Sequence, residues 1–303
     1  LSADIDANTR DYLRQDIEHR LRKLEGIFST YADNSDLTRF NRQQPMRWID
    51  APSELIEVTR VASQLFTLSS GAFDPTVGPL VELWGFGAKP SSASVPQKAS
   101  IDAMLERVGM NAIEWRTQPR SQLRSLNSNV QLDYSALAKG YAVDEICELL
   151  NIAGLQDYLV DIGGEIRVRG KNPNREPWRI GLESPATTFQ KSQPSVVLDD
   201  AALATSGRYR NNRTIEGHRF SHIIDPRTGS PIAHELQSVS VLSQTAALAD
   251  AYATALLVMG PDAGLEWARQ NGIDAYFVVG GPDDFRRFGT GVFSTLPAVV
   301  GEN

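Results

Sequence analysis

An apolar helix set among strand-patterned segments constrains this chain more than any other feature. Residues Ala246–Met259 are rich in alanine and leucine at helical spacing, with strand-like runs at Leu236–Ser243 before them and Asp274–Val279 after them. Further helical and strand patterns alternate irregularly along the chain, which argues for an α+β or mixed α/β fold and against a doubly wound sheet. The helix carries one carboxylate, Asp250, and a hydroxyl four residues on, Thr254. That spacing puts both on one face. A buried carboxylate must be paired or coordinated. An oxygen pair of this kind suits a hard cation such as Mg²⁺, which completes its shell with water and phosphate; a cap to a neighbouring loop would also satisfy it.

The rest of the pattern fills in around this helix. Leu13, Ile17, Leu21, Leu24 and Phe28 predict a long amphipathic helix over residues 9–28, broken at Tyr31–Asp36. Asp50-Ala51-Pro52 marks the start of a second, running to about Ser69. Lys89–Ser100 is predicted as a surface loop and Ile101–Val108 as a short helix. Asn111–Leu132 reads as a strand pair turning at Asn127-Ser128-Asn129, followed by a helix over Ala136–Asn151. Tyr158–Arg169 (with Gly163-Gly164 inside it), Trp178–Glu183 and Ser195–Thr205 are strand candidates. With no repeat and no clear boundary, residues 1–303 read as one unit with two lobes.

Composition narrows the function. A net charge of −7 argues against a nucleic-acid partner. No apolar run approaches the roughly 18–20 residues that span a bilayer. Cys147 is the only cysteine, which excludes an intrachain disulfide and a thiolate metal site; its helical setting predicts a small buried apolar residue. The chain opens at Leu1, so a trimmed form with any signal peptide or lipid anchor upstream is expected. Gly-x-Ser-x-Gly, Walker, Cys-x-x-Cys and Gly-x-Gly-x-x-Gly motifs are missing from the sequence.

Four constellations could carry chemistry. Gly71–Gly87 (GAFDPTVGPLVELWGFG) is a Gly/Pro loop with aromatics that could hold a planar ring, though its composition alone reads first as a structural loop. In Leu132–Asp144, Asp133 ends a strand, Ser135 can cap a helix, and Lys139 lies in its first turns, where phosphate is attracted; an ordinary capped helix is the alternative. Asp161–Glu165 and Ala204–Asn211 bring glycine turns and arginines that suit an anion, or are plain β turns. Last, Ser221–Gly229 holds His222 beside a rigid Asp225-Pro226-Arg227-Thr228-Gly229 turn. His218 and His222 stand four apart, but strand-like residues between them argue against the helix a zinc pair would need.

Together these segments, in order and spacing from about Tyr31 to Gly260, resemble the FAD:protein FMN transferase (ApbE) family. The matching motifs are Gly-x-Phe-Asp-Pro-Thr-x-Gly-Pro-Leu at Gly71–Leu80, Ala-Lys-Gly-Tyr-Ala-x-Asp at Ala138–Asp144, the His222–Gly229 turn and Asp250–Thr254. The resemblance implies a two-lobed, T-fold-related α+β architecture with mixed sheets flanked by helices and an FAD cleft between lobes. It implies Mg²⁺-dependent transfer of the FMN half of FAD to a Thr or Ser hydroxyl of a target protein, with release of AMP. Carried over by position, Tyr31, Ala72, Phe73, Asp74, Asp133, Lys139 and Ile224 would contact FAD. Asp250 and Thr254 would hold Mg²⁺ through side chains and Ala136 through its carbonyl. His222 would be the base, with Asp250 also in the catalytic set.

The same resemblance implies an exported, periplasmic protein that meets the membrane only through an upstream lipid anchor or through its acceptor. Acceptors in the family are redox subunits such as those of quinone reductases or nitrous-oxide regulators. This chain departs from the family at Ala253, where several members carry a second acid, and in the run Tyr134–Leu137, usually Gly-rich. Leu1–Asp4 starts at or past the usual first strand, so part of the FAD site is expected upstream. Two other readings share the same residues: an Mg²⁺-dependent FAD pyrophosphatase, and a non-catalytic flavin carrier, which would need no base.

Overall fold

The computed structural model describes residues 5–87, 94–127, 130–182, 194–209, 211–281 and 284–295. Its helices are α1 (Ala7–Phe28), α2 (Asp36–Asn41), α3 (Ser53–Leu68), α4 (Gly78–Leu83), α5 (Lys98–Leu105), α6 (Ala138–Ile152), α7 (Ala246–Met259) and α8 (Pro261–Gln270). Its strands are β1 (Ile49–Asp50), β2 (Ile113–Arg116), β3 (Gln122–Ser125), β4 (Tyr158–Ile162), β5 (Glu165–Arg169), β6 (Trp178–Gly181), β7 (Ser195–Leu198), β8 (Ala202–Gly207), β9 (Asn212–Ile215), β10 (His218–Ser221), β11 (Ile224–Asp225), β12 (Ser230–Pro231), β13 (Leu236–Ser243), β14 (Asp274–Gly281) and β15 (Asp284–Gly289). The fold is mixed α+β, as the irregular alternation predicts. The chain divides into two compact units, one of Leu1–Arg22, Leu137–Gly207 and Glu235–Asn303, the other of Lys23–Ala136 and Arg208–His234.

The first unit is built on a six-stranded antiparallel sheet in the order β15-β14-β13-β8-β5-β4. Helix α7 packs on β13 and β8 and is flanked by α6 and α8. Being covered on several sides is why it is apolar on almost every face rather than along one stripe. Its alanines Ala249, Ala251, Ala253 and Ala255 are fully buried, and small residues let α6 and the sheet approach closely. The predicted α1 stripe is used as expected: Leu13, Ile17 and Leu21 pack with Val143, Ile146, Cys147 and Leu150 of α6. Cys147 is fully buried and its thiol is pushed up to about 12 by that burial, which leaves it inert.

Two predicted strands are each two strands here. Tyr158–Arg169 folds back at Gly163-Gly164, whose φ values of 71° and 101° are the positive angles a two-residue hairpin turn needs. Ser195–Thr205 breaks after Leu198, where Asp200 has φ 43°. Strand β7 then pairs with β6, while β8 enters the large sheet. Glu183, the predicted end of the strand at Trp178, lies outside the described residues, as do Leu1–Asp4 and Arg210 of the predicted anion loop.

In the second unit a three-stranded sheet, β1-β3-β2, packs against α3. The chain reverses between β2 and β3 at residues 117–121, not at Asn127-Ser128-Asn129. Pro119 lies in that reversal, where its missing N–H removes a ladder donor. Ser128 and Asn129 lie outside the described residues. Within Gly71–Gly87 the chain forms the short helix α4, with Pro79 in its first turn, where proline is tolerated. Helix α5 begins at Lys98, three residues before the predicted start, inside the predicted loop, of which residues 89–93 are outside the described set.

Candidate functional site

Lys139 and Asp250 meet because α6 and α7 are locked at their N-terminal ends. Thr245 caps α7 through Leu248 N–H. Asp144 of α6 accepts the N–H groups of Ala246 and Ala247, each at 2.9 Å, and is itself held by Arg167 at 2.7 Å. Two of the donors that α7 leaves unpaired are thus satisfied from α6. Gly140 makes the approach possible, since a Cβ there would lie 2.2 Å from the Ala246 carbonyl oxygen. Gly140→Ala is therefore expected to destabilise the chain by roughly 1–3 kcal/mol or more, read as a lower urea midpoint at unchanged slope; an unchanged midpoint would show that the helices can separate freely.

One turn further along α7, Asp250 is only 4% exposed and its Oδ2 lies 3.3 Å from Lys139 Nζ. Burial raises the Asp250 pKa, opposed by Lys139 and by the Gly140 N–H. Glu165, at the start of β5, is also buried and its Oε1 lies 3.6 Å from the same Nζ. Its pKa is raised to about 7, first by burial and then by the Asp250 carboxylate, against the pull of Lys139. Burial disfavours the Lys139 ammonium, but the two carboxylates outweigh it and the pKa stands above its ordinary value. Lys139 is charged at neutral pH, and its side chain, 44% exposed, can reach an anion. On the Asp250 face, Thr254 Oγ1 lies 3.1 Å from Ser206 Oγ of β8.

These donors fit a hard cation. Among the described residues no three His, Cys, Asp or Glu side chains converge as a closed metal centre. The first unit instead offers hard oxygens: two hydroxyls and two buried carboxylates, of which Glu165 has an Oε2 with no hydrogen-bond partner. A cation that keeps several waters or phosphate oxygens is the kind such a set can hold. His218 and His222 lie on β10 and just after it, off the helix that a zinc pair at that spacing would need.

The second unit carries the other predicted residues. Tyr31, 84% exposed, and Asp133 line a cavity of about 450 Å³ together with Thr30, Arg42, Glu82 and Phe86. That volume is within the range of small-molecule sites. Asn41 ties its floor by a two-way amide clasp to Leu132, both bonds 2.8 Å. Asp133 N–H donates to the Pro75 carbonyl at 2.7 Å, fastening this segment to the Gly/Pro loop. Ser135 does not cap α6: its N–H and hydroxyl both bond Asp133 Oδ1, and the N-cap position is Leu137, without a side-chain cap. The short Asx turn at Asp133 takes the hydroxyl first. Ala136 lies in the turn between Ser135 and α6 and is partly buried.

Ala72 and Phe73 are buried in the core, so only their backbone can face a ligand. Asp74 accepts from Thr76 N–H at 2.8 Å and Thr76 Oγ1 at 2.6 Å, and Gly109 N–H closes on Thr76 Oγ1 at 2.6 Å. Burial lifts the Asp74 pKa to about 6 despite these bonds. It lines a second cavity, about 480 Å³, with Gly71 and Arg227. Ile224 is buried with Leu80, Trp84 and Ile215. His222 is half-buried, edge-on to Phe86, and its Nδ1 lies 2.8 Å from the Asn211 carbonyl. A carbonyl only accepts, so Nδ1 carries the proton and Nε2 keeps its lone pair. Burial lowers the His222 pKa, partly offset by that bond.

Glu165 is the residue that pattern reading did not select for the site. It directly follows the Gly163-Gly164 pair, in a segment whose pattern says strand and turn but not which side chain enters a site. The pairing of β5 with β4 and β8, beneath α6 and α7, brings it to Lys139.

The ApbE family model matches residues 2–277. The FAD:protein FMN transferase of Escherichia coli (strain K12) is 35% identical over 283 residues, covering 93% of this chain and 81% of that one. The solved flavin transferase ApbE from Vibrio cholerae superposes with a TM-score of 0.85 at 35% identity, over 97% of this chain and 92% of that one. The apo flavinyl transferase ApbE of Pseudomonas stutzeri does so with a TM-score of 0.87 at 36% identity, over 97% and 91%.

Proposed function

The chain belongs to the ApbE family, and from that membership we infer that it is an FAD:protein FMN transferase: it moves the FMN half of FAD onto a protein hydroxyl and releases AMP. The observation that carries the chemistry is the Lys139–Asp250–Glu165 cluster, a buried acidic group beside one exposed ammonium. Asp250 and Thr254 would hold Mg²⁺, which supplies neutralisation of the pyrophosphate charge when bound. Lys139 adds a fixed positive charge for the same pyrophosphate, and its raised pKa keeps that charge in place. Tyr31 and Asp133 line the cavity assigned to FAD.

The acceptor is a Thr or Ser hydroxyl, a weak nucleophile until its proton is taken. His222 Nε2 accepts that proton as the acceptor oxygen bonds to the phosphorus of the FMN half. The bond from that phosphorus to the bridging oxygen breaks, and the oxygen leaves with AMP. His222 is suited to this because its lowered pKa leaves it neutral at pH 7 and the Asn211 carbonyl fixes its tautomer. Family resemblance supports an acceptor among membrane-bound redox subunits and a periplasmic location for the protein.

The test is to incubate the chain with FAD, Mg²⁺ and a folded acceptor domain bearing an Asp-x-x-Ser-Gly-Ala-Thr segment. An FMN-sized mass gain on the acceptor, lost with EDTA, is expected. Free FMN and AMP with no adduct would assign a pyrophosphatase instead, and unchanged FAD would count against both.

A further inference from the structure

Asp250 is accompanied by a second buried carboxylate that its own sequence motif does not contain. Glu165 is 3% exposed. Its Oε1 shares Lys139 Nζ with Asp250 Oδ2, at 3.6 Å and 3.3 Å. Its other oxygen, Oε2, is buried with no hydrogen-bond partner. Two buried carboxyl groups therefore lean on one ammonium, which cannot fully satisfy both. A buried charged oxygen left unpaired is costly, and only a donor or a cation relieves it. On α7 itself, the position next to Thr254 is Ala253, fully buried and without an acid.

We propose that Glu165 is a ligand of the cation site, its Oε2 joining Asp250 on a divalent cation that the two carboxylates hold in place of their shared lysine. This rests on the reading of Asp250 as a cation ligand. Two carboxylates and one hydroxyl are hard oxygens that leave the rest of an octahedral shell to a backbone carbonyl, water and phosphate, as a Mg²⁺-like ion prefers. A bound divalent cation would add two positive charges to the cluster and so favour a pyrophosphate beside it. Glu165 from β5 thereby supplies the carboxylate that Ala253 does not.

The experiment uses Mn²⁺ as the probe, with the full chain and no FAD, and reads free Mn²⁺ by electron paramagnetic resonance. Wild type is expected to bind one Mn²⁺, Asp250→Asn to lose it, and Glu165→Gln to bind about 10- to 100-fold more weakly. Equal affinity in wild type and Glu165→Gln overturns the role of Glu165 and leaves that of Asp250 standing. No binding by wild type overturns the cation assignment itself. Should Glu165→Gln not fold, wild type carrying carboxyl-¹³C glutamate answers the same question: a ¹³C hyperfine coupling to bound Mn²⁺ is expected, and its absence overturns the proposal.

Discussion

Asp250→Asn is expected to abolish FMN transfer while leaving a folded chain. The side chain is buried at the Lys139 junction, so an isosteric amide fits the same space, and Lys139 keeps Glu165 as its carboxylate partner at 3.6 Å. Burial already disfavours the Asp250 charge, so removing that charge removes a cost as well as a contact. The pyrophosphate loses the charge neutralisation that a metal ligand makes possible, a loss on the order of 10³-fold or more, about 4 kcal/mol of barrier. The measurement is the initial rate of adduct formation by intact mass, with Mg²⁺ raised to saturation, beside a thermal melt. A variant that melts like wild type and transfers within tenfold of its rate would remove Asp250 from the metal site.

His222→Gly should lose transfer by about 10²–10⁴-fold with little change in FAD affinity. The ring packs against Phe86 and bonds the Asn211 carbonyl, which uses Nδ1 and leaves Nε2 for chemistry. The pH dependence separates a base from a packing residue. A base acts in its neutral form, and burial places the His222 pKa below its ordinary 6.5. The wild-type rate should therefore be level at neutral pH and fall only as pH drops below about 6.5. In His222→Gly the residual rate should lack the limb that belongs to this group. Retention of the same acid limb in the variant would assign it to another residue, and an unchanged rate would put the base elsewhere.

Local periodicity made several elements legible. The stripe Leu13–Leu21 and the apolar run Ala246–Met259 each repeat one spacing over many residues, and both form the expected helices. The strand assignments were less complete. Tyr158–Arg169 and Ser195–Thr205 look continuous because the strands on either side of the break share a two-residue alternation, and the break shows only as a glycine pair or an Asp-Asp step. Strand β15 and the hairpins β9-β10 and β11-β12 each pair with the strand next to them in sequence, but they are short or polar, so their alternation is too brief to announce them.

By itself, the sequence determined that Asp250 and Thr254 share a face of a buried helix, because helical geometry is local and a carboxylate in such a helix needs a partner. It also determined that His222 lies off any helix, beside a turn set by Asp225-Pro226. The tertiary structure decided what those residues face. Lys139 meets Asp250 only because Gly140 lets the Ala246 carbonyl come close, and because Asp144 caps α7 from α6, 102 and 103 residues away. Glu165 joins them through strand pairing, and its distance from Asp250 in sequence hides the link. Charge coupling acts through space and falls with distance, so no local pattern could announce which carboxylate would share the lysine.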